Sequence, residues 1–114
     1  MTCKREHSRY NCRGSADLSN GTNCRVWGEL GDISLAGFYV STYGPLPIST
    51  EVRFKIEVEG EVICGAGEVA TSHPGVGMAV IFHDLSSQYR QTLQWVIREL
   101  SQCNGSPAGI GLRI

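Results

Sequence analysis

Two groups of residues in this chain have the chemistry needed to hold phosphate and guanine. Arg5 and Arg9 lie four positions apart near the start of the sequence, and Asp32, Ser34 and Gly37 form a D-x-S-x-x-G motif further on. Planar guanidinium groups bind phosphate oxygens or a guanine edge, while a carboxylate and a hydroxyl accept hydrogen bonds from guanine N–H groups. A glycine lets the backbone approach a ligand closely. Together the two groups predict a binding site for phosphate and guanine.

The spacing within the D-x-S-x-x-G motif predicts how its side chains are presented. Asp32 and Ser34 are two positions apart, so at the end of a strand they point to the same side, and Ile33 points the other way into the core. A purely structural interpretation is a turn fixed by hydrogen bonds from Asp32 and Ser34 to their own backbone. Such a turn is compatible with ligand binding, because a rigid turn holds its side chains in a fixed geometry.

The arginine pair lies on a basic segment that precedes the first predicted strand. In an extended chain Arg5 and Arg9 would stand about 13 Å apart, so the segment must wrap around a ligand to bring both to it. Arg9 and Arg13 form a second pair with the same spacing. Residues 1–13 hold four cations and one acid, a net charge of +3, which leaves −4 for the rest of a chain whose total is −1. A cationic arm on a mildly acidic body suits capture of a small anion, and a solvated basic tail is the alternative.

Length and composition limit the possible architectures. The 114 residues, 41% of them hydrophobic, suffice for one compact domain and leave no room for a second. No run of 18 apolar residues occurs, and the basic start is not followed by the apolar core of a signal peptide, so we expect a cytoplasmic protein. The small net charge argues against a general nucleic-acid binder.

Cysteines, histidines and acids show no recognisable catalytic or metal-binding spacing. Five cysteines form an odd, irregularly spaced set without a C-x-x-C, which predicts reduced thiols in a cytosolic chain. A zinc site built from Cys3, His7, Cys12 and Cys24 would match no usual spacing. No paired-carboxylate, Ser-His-Asp or phosphate-loop pattern is present. We therefore expect no metal, no cofactor and no enzymatic activity.

Short β-type runs separated by glycines predict a six-stranded antiparallel barrel. The clearest run is 52–58, where apolar and charged residues alternate as in a half-buried strand. Glu59-Gly60-Glu61 predicts a hairpin after it. The other five predicted strands cover residues 14–19, 24–31, 37–42, 62–71 and 76–82. A closed barrel would leave none of them as an exposed edge.

The periodicity changes to that of a helix near residue 86. Ser86 or Ser87 is a suitable N-cap, and Asn104 with Gly105 is typical of a helix end. Apolar residues recur at helical spacing on one stripe: Tyr89, Leu93, Val96, Ile97 and Leu100. Trp95 lies off this stripe, where it either covers a further patch of the barrel or is exposed to a partner. We therefore predict a C-terminal helix that packs on the barrel.

The two motifs and their order resemble the PilZ domain, a bacterial receptor for cyclic di-GMP. In that family an R-x-x-x-R motif on an N-terminal loop precedes a [D/N]-x-S-x-x-G motif on the barrel. Residues 5–9 and 32–37 have these sequences here, and residues 77–86 look like the last barrel strand entering the C-terminal helix. The likeness covers roughly residues 4–100. It implies an all-β, split six-stranded barrel with a C-terminal α-helix.

The resemblance also implies roles for individual residues. In the family the arginines stack on guanine and pair with its edge or with the phosphates, and we carry these roles to Arg5 and Arg9. The pair Arg9 and Arg13 remains an alternative, although residues 10–12 then no longer lead into the first strand at the usual distance. In the family a basic residue at the position of Lys4 can favour a stacked ligand dimer over a monomer. Because lysine lacks the guanidinium plane for stacking, the stoichiometry of the ligand stays open. The predicted ligand-binding residues are Lys4, Arg5, Arg9, Asp32, Ser34 and Gly37.

The function implied is that of a cyclic di-GMP receptor that passes its signal to a protein partner when the ligand orders the N-terminal arm. The corresponding organisation is a flexible basic arm over residues 1–13, a barrel with its helix over 14–103 and a tail over 104–114. An alternative is a PilZ-like interaction module that does not bind nucleotide. A barrel for single-stranded nucleic acid is disfavoured because the polar face of strand 52–58 mixes both charges.

Overall fold

The computed structural model describes residues 9–21 and 24–104, which form seven strands and one helix. The strands are β1 (Tyr10–Asn11), β2 (Gly14–Ser19), β3 (Arg25–Ile33), β4 (Gly37–Ser41), β5 (Glu51–Val58), β6 (Glu61–His73) and β7 (Gly77–Asp84), followed by α1 (Ser87–Asn104). In this part of the chain no helix is long and apolar enough to cross a membrane.

Strands β2 to β7 form a closed antiparallel barrel. Their order around the barrel is β3-β2-β5-β6-β7-β4, and pairing between β3 and β4 closes it. The predicted fold class, a six-stranded antiparallel barrel with a C-terminal helix, is confirmed. Each of the six predicted strands is present, with ends that shift by one or two residues.

Strand β1 is the one strand that the sequence did not predict. It is two residues long and pairs with the end of β3, Tyr10 opposite Ile33 and Asn11 opposite Asp32. Two residues are too few to show the alternation of a strand in the sequence, so β1 is recognised only by its pairing with β3 in the structure. Part of the predicted arm therefore lies in the sheet, while its flexibility stays a prediction.

Strand β5 shows how alternation in the sequence builds the barrel wall. Its apolar residues are all buried and its charged residues are all exposed. The chain then reverses at Glu59 and Gly60, whose φ values of 54° and 78° suit the tight two-residue turns that join antiparallel strands. This is the hairpin that the sequence predicts at that point.

The core is centred on three phenylalanine rings from three strands. Phe38 on β4, Phe54 on β5 and Phe82 on β7 lie with ring centroids 5.3 to 5.8 Å apart. Edge-on and tilted rings at this separation add to the stabilisation that burial of their area provides. The three rings join the strands of the barrel across its interior.

Helix α1 packs on β6 and β1 through the predicted apolar stripe. Leu93, Val96 and Leu100 are buried. Ser86 is the N-cap, since its Oγ accepts a hydrogen bond from the Tyr89 backbone N–H at 3.3 Å. Trp95 keeps 42% of its surface exposed, so it only partly covers the barrel. The predicted tail beyond residue 104 lies outside the described residues.

Candidate ligand-binding site

The turn between β3 and β4 is built around the Ser34 side chain. The Ser34 backbone N–H donates to the Gly37 carbonyl at 2.8 Å, and Ser34 Oγ accepts from the N–H groups of Ala36 at 3.0 Å and Gly37 at 3.3 Å. The hydroxyl hydrogen is directed to the Gly37 carbonyl oxygen at 3.4 Å. Ser34 is buried, with 5% of its surface exposed. The hydroxyl is therefore committed to the turn.

Gly37 is required by the neighbouring strand β7. A Cβ atom at this position would lie 2.0 Å from the Val80 carbonyl oxygen and 2.9 Å from Ile81 Cα. No side chain fits at such distances, because ordinary contact begins near 3.4 Å. The glycine of the motif thus allows β4 and β7 to pair closely directly after the turn.

Asp32 stands at the end of β3, where it meets the residue preceding β1. Arg9 Nη1 donates a hydrogen bond to Asp32 Oδ1 at 2.9 Å. The pairing of Asn11 with Asp32 holds the two segments side by side and so brings the guanidinium to the carboxylate. The two side chains are 37% and 27% exposed, so both are accessible from outside. As predicted from parity, Ile33 points into the core and is fully buried.

The structure joins the two predicted motifs through Arg9 and Asp32. Lys4 and Arg5 lie outside the described residues. Arg13 is exposed in the link between β1 and β2 and makes no ion pair within the described part of the chain. Arg9 belongs to both of the alternative arginine pairs, and the structure places it beside Asp32.

Cys12 follows β1 and lies close enough to Asp32 for the carboxylate charge to act on its thiol. Its backbone N–H donates to the Gly31 carbonyl at 3.3 Å. Burial raises the pKa of the Cys12 thiol to about 12, and the negative charges of Asp32 and Glu59 add to this effect. The thiol is therefore protonated at neutral pH, and without a bound metal it is a weak nucleophile.

A separate depression of about 400 Å³ lies between the barrel and the start of α1. Arg53, Cys64, Asp84 and Tyr89 line it, and a hydrogen bond with Cys64 raises the pKa of the Tyr89 hydroxyl. The sequence did not predict this cavity, because its lining residues come from three strands and a helix. No short motif connects them.

Residues 4–99 match the family model for the PilZ domain. Among curated proteins, none matches the sequence. The PilZ domain of YcgR from Escherichia coli, with c-di-GMP, has a TM-score of 0.66 at 14% identity, covering 91% of this chain and 99% of that chain. The PilZ domain of CeSA from a cellulose-synthesizing bacterium has a TM-score of 0.60 at 20% identity, covering 84% and 97%.

The Bacillus subtilis inhibitor of motility, MotI/DgrA, has a TM-score of 0.72 at 17% identity. The match covers 92% of this chain and 54% of the Bacillus protein, so this chain spans about half the length of that relative. At these levels of identity, the three solved structures show a shared fold.

Proposed function

The chain belongs to the PilZ domain family, and on this basis we propose that it is a receptor for cyclic di-GMP that holds the dinucleotide beside the β3–β4 turn. The similar PilZ domain of YcgR is described with c-di-GMP. The observation that supports the proposal in this chain is the 2.9 Å contact between Arg9 Nη1 and Asp32 Oδ1. It brings one residue from each predicted motif to one point on the surface.

A ligand can take over the partners of this ion pair at little cost. Arg9 and Asp32 are both partly exposed, and such pairs contribute only about 0–1 kcal/mol to stability. Arg9 then turns from the carboxylate to a phosphate oxygen or a guanine edge, and Asp32 accepts the guanine N–H groups. The cost of breaking the existing contact is small beside the gain of these charge-assisted hydrogen bonds.

The remaining predicted residues act in two ways. Ser34 and Gly37 stabilise the turn that presents Asp32. The Ser34 hydroxyl accepts hydrogen bonds from the turn backbone, and Gly37 allows the close contact with β7. Lys4 and Arg5 supply the further cationic contacts to the dinucleotide. In this proposal the protein is a receptor and not an enzyme, and it acts in the cytoplasm.

In this proposal the positive charge of the arm, residues 1–13, couples ligand binding to a change in the protein surface. Residues 1–13 carry a net charge of +3, and an anionic ligand neutralises their mutual repulsion. The ligand orders the arm against the barrel and thereby changes the surface offered to a protein partner. The barrel itself keeps its structure.

Calorimetric titration with cyclic di-GMP tests the proposed binding site. We expect Arg9→Ala and Asp32→Asn each to weaken binding by about 10- to 100-fold, since a hydrogen bond to a charged group is worth roughly 1.5–3 kcal/mol. Arg25→Ala is the matched control, because Arg25 forms a comparable surface ion pair with Asp17 at 2.6 Å on another part of the barrel. Unchanged affinity in both site variants, or no binding to the wild type, would contradict the proposal and favour an interaction module without nucleotide.

Hydrogen exchange tests the proposed switch separately. Addition of cyclic di-GMP should slow exchange of the amides in residues 1–9, while those of β5 and β7 exchange as before. An arm that is equally protected with and without ligand would show that the signal leaves through another surface, even if binding is real.

A further inference from the structure

Glu51, Glu68 and His83 form a polar cluster on the outer surface of the barrel, on three neighbouring strands. His83 Nε2 lies 3.1 Å from Glu68 Oε1, and His83 Nδ1 lies 3.7 Å from Glu51 Oε1. One ligand atom from each side chain can be chosen so that all three lie within 4.8 Å of one another. We propose that this cluster binds a divalent transition-metal ion, with zinc as the best fit.

The register of the strands explains how these residues meet. Glu51 on β5 is directly opposite Glu68 on β6. On β7, Phe82 pairs with Gly67 and Asp84 pairs with Ala66, so His83 is an extra residue at an irregularity of the ladder.

A bulge of this kind redirects the side chain of the extra residue. Phe82 packs in the core, whereas His83 is 40% exposed and its ring lies between the two glutamates. The irregularity in the strand ladder therefore places the His83 ring beside both glutamates.

The charges of the cluster favour a dication. Two carboxylates directly opposite each other on paired strands repel. Within residues 9–21 and 24–104, the only basic side chain within 4.0 Å of either carboxylate is His83. Because zinc carries two positive charges, it would neutralise both glutamates.

The donor set and its geometry select the type of metal. Imidazole nitrogen suits zinc and its neighbours in the periodic table, whereas an all-oxygen set would suit magnesium or calcium. Zinc binds nitrogen and oxygen at about 2.0–2.2 Å, which places tetrahedral ligand atoms roughly 3.4 Å apart. The three side chains are at least partly exposed, so small rotations about their side-chain bonds bring the donor atoms to this distance. Three protein ligands leave a fourth position for water.

The cluster is distinct from the nucleotide site proposed above. Glu68 and Gly37 both pair with Ile81, from opposite sides of β7, so they lie two strand spacings apart, about 10 Å. Neither Arg9 nor Asp32 takes part in the cluster. Zinc binding here is therefore independent of whether the chain binds cyclic di-GMP.

Calorimetric titration with zinc chloride in a buffer that does not bind metal tests the proposal. We expect one high-affinity site in the full chain, and a loss of affinity of at least about tenfold in His83→Ala and in Glu68→Gln, since even the loss of a ligand's hydrogen-bond partner costs that much. His73→Ala is the matched control, because His73 contacts Tyr39 at 3.4 Å and, among the residues that the structure describes, no carboxylate within ion-pair distance. It should bind zinc as the wild type does.

Two results would overturn the proposal. One is the absence of zinc binding up to millimolar metal. The other is equal binding by the wild type and His83→Ala, which would place the metal on the cysteines. Glu68→Gln preserves the shape of the side chain, so it keeps the test valid if His83→Ala alters the bulge. Far-ultraviolet circular dichroism of each variant confirms that the barrel is intact.

Discussion

Replacement of Gly37 by alanine should destabilise the barrel strongly although it adds a single methyl group. The new Cβ would lie 2.0 Å from the Val80 carbonyl oxygen, whereas ordinary contact begins near 3.4 Å. Strands β4 and β7 must therefore separate by more than an ångström at their first residue pair, Gly37 with Ile81. Overpacking costs about 1–3 kcal/mol, and a weakened backbone hydrogen bond adds about 0.5–1.5 kcal/mol. We expect the free energy of unfolding to fall by about 2–4 kcal/mol.

Urea unfolding followed by far-ultraviolet circular dichroism measures this loss. Gly31→Ala is the matched control, since a Cβ there would lie 3.8 Å from the nearest atoms of Tyr39, an ordinary contact. Its free energy of unfolding should change by no more than about 0.5 kcal/mol. Equal stability of the Gly37→Ala and Gly31→Ala proteins would refute the reasoning. The result also bears on binding experiments, because lost binding in Gly37→Ala would reflect a distorted barrel and not a missing ligand contact.

Three further variants test other parts of the structure. Ser34→Ala removes the acceptor of two backbone N–H groups in the β3–β4 turn and should lower the free energy of unfolding by about 1–3 kcal/mol in urea titrations; wild-type stability would show that the turn does not depend on the hydroxyl. Ser86→Ala removes the helix N-cap and should cost about 0.5–2 kcal/mol in the same assay, with Ser87→Ala as the control. Burial raises the pKa of the Cys12 thiol from 9.0 to about 12, so as the pH rises the thiol loses its proton in the unfolded chain before it does so in the folded chain. The free energy of unfolding should therefore fall between pH 9 and 12, and it should fall more steeply in the wild type than in Cys12→Ala. Parallel pH profiles of the two proteins would contradict that pKa.

The sequence predicted the barrel well because its signals are local. Alternating burial along β5, the turn at Glu59 and Gly60 and the apolar stripe of α1 each lie within a short segment. Periodicity and turn chemistry therefore suffice to predict them. The contact between Arg9 and Asp32 crosses 23 positions. The expectation that these residues share a site came from their complementary chemistry and from the order of the motifs in a known family, and not from a local pattern.

Features that depend on strand register were beyond prediction from the sequence. Glu51, Glu68 and His83 are far apart in the chain, and a single irregularity on β7 determines where the histidine points. The role of Gly37 was also incompletely predicted. Its spacing in the motif suggested close approach to a ligand, whereas the close neighbour in the structure is the backbone of Val80. The cluster and the close contact of Gly37 both depend on which strands become neighbours in the barrel. A short segment of sequence does not contain this information.

The two-residue strand β1 covers part of one edge of β3. It pairs with the same edge of β3 as β2 does, beyond Glu29, where the pairing of β3 with β2 ends. Without β1, the backbone groups of Gly31 to Ile33 would lie on an open edge, and an open edge is a template for pairing with another chain. A chain shortened to begin at Arg13 should therefore associate more strongly than the full chain at the same concentration, which light scattering would detect. The two residue pairs of β1 with β3 would then separate a covered strand edge from one that accepts strands of neighbouring molecules.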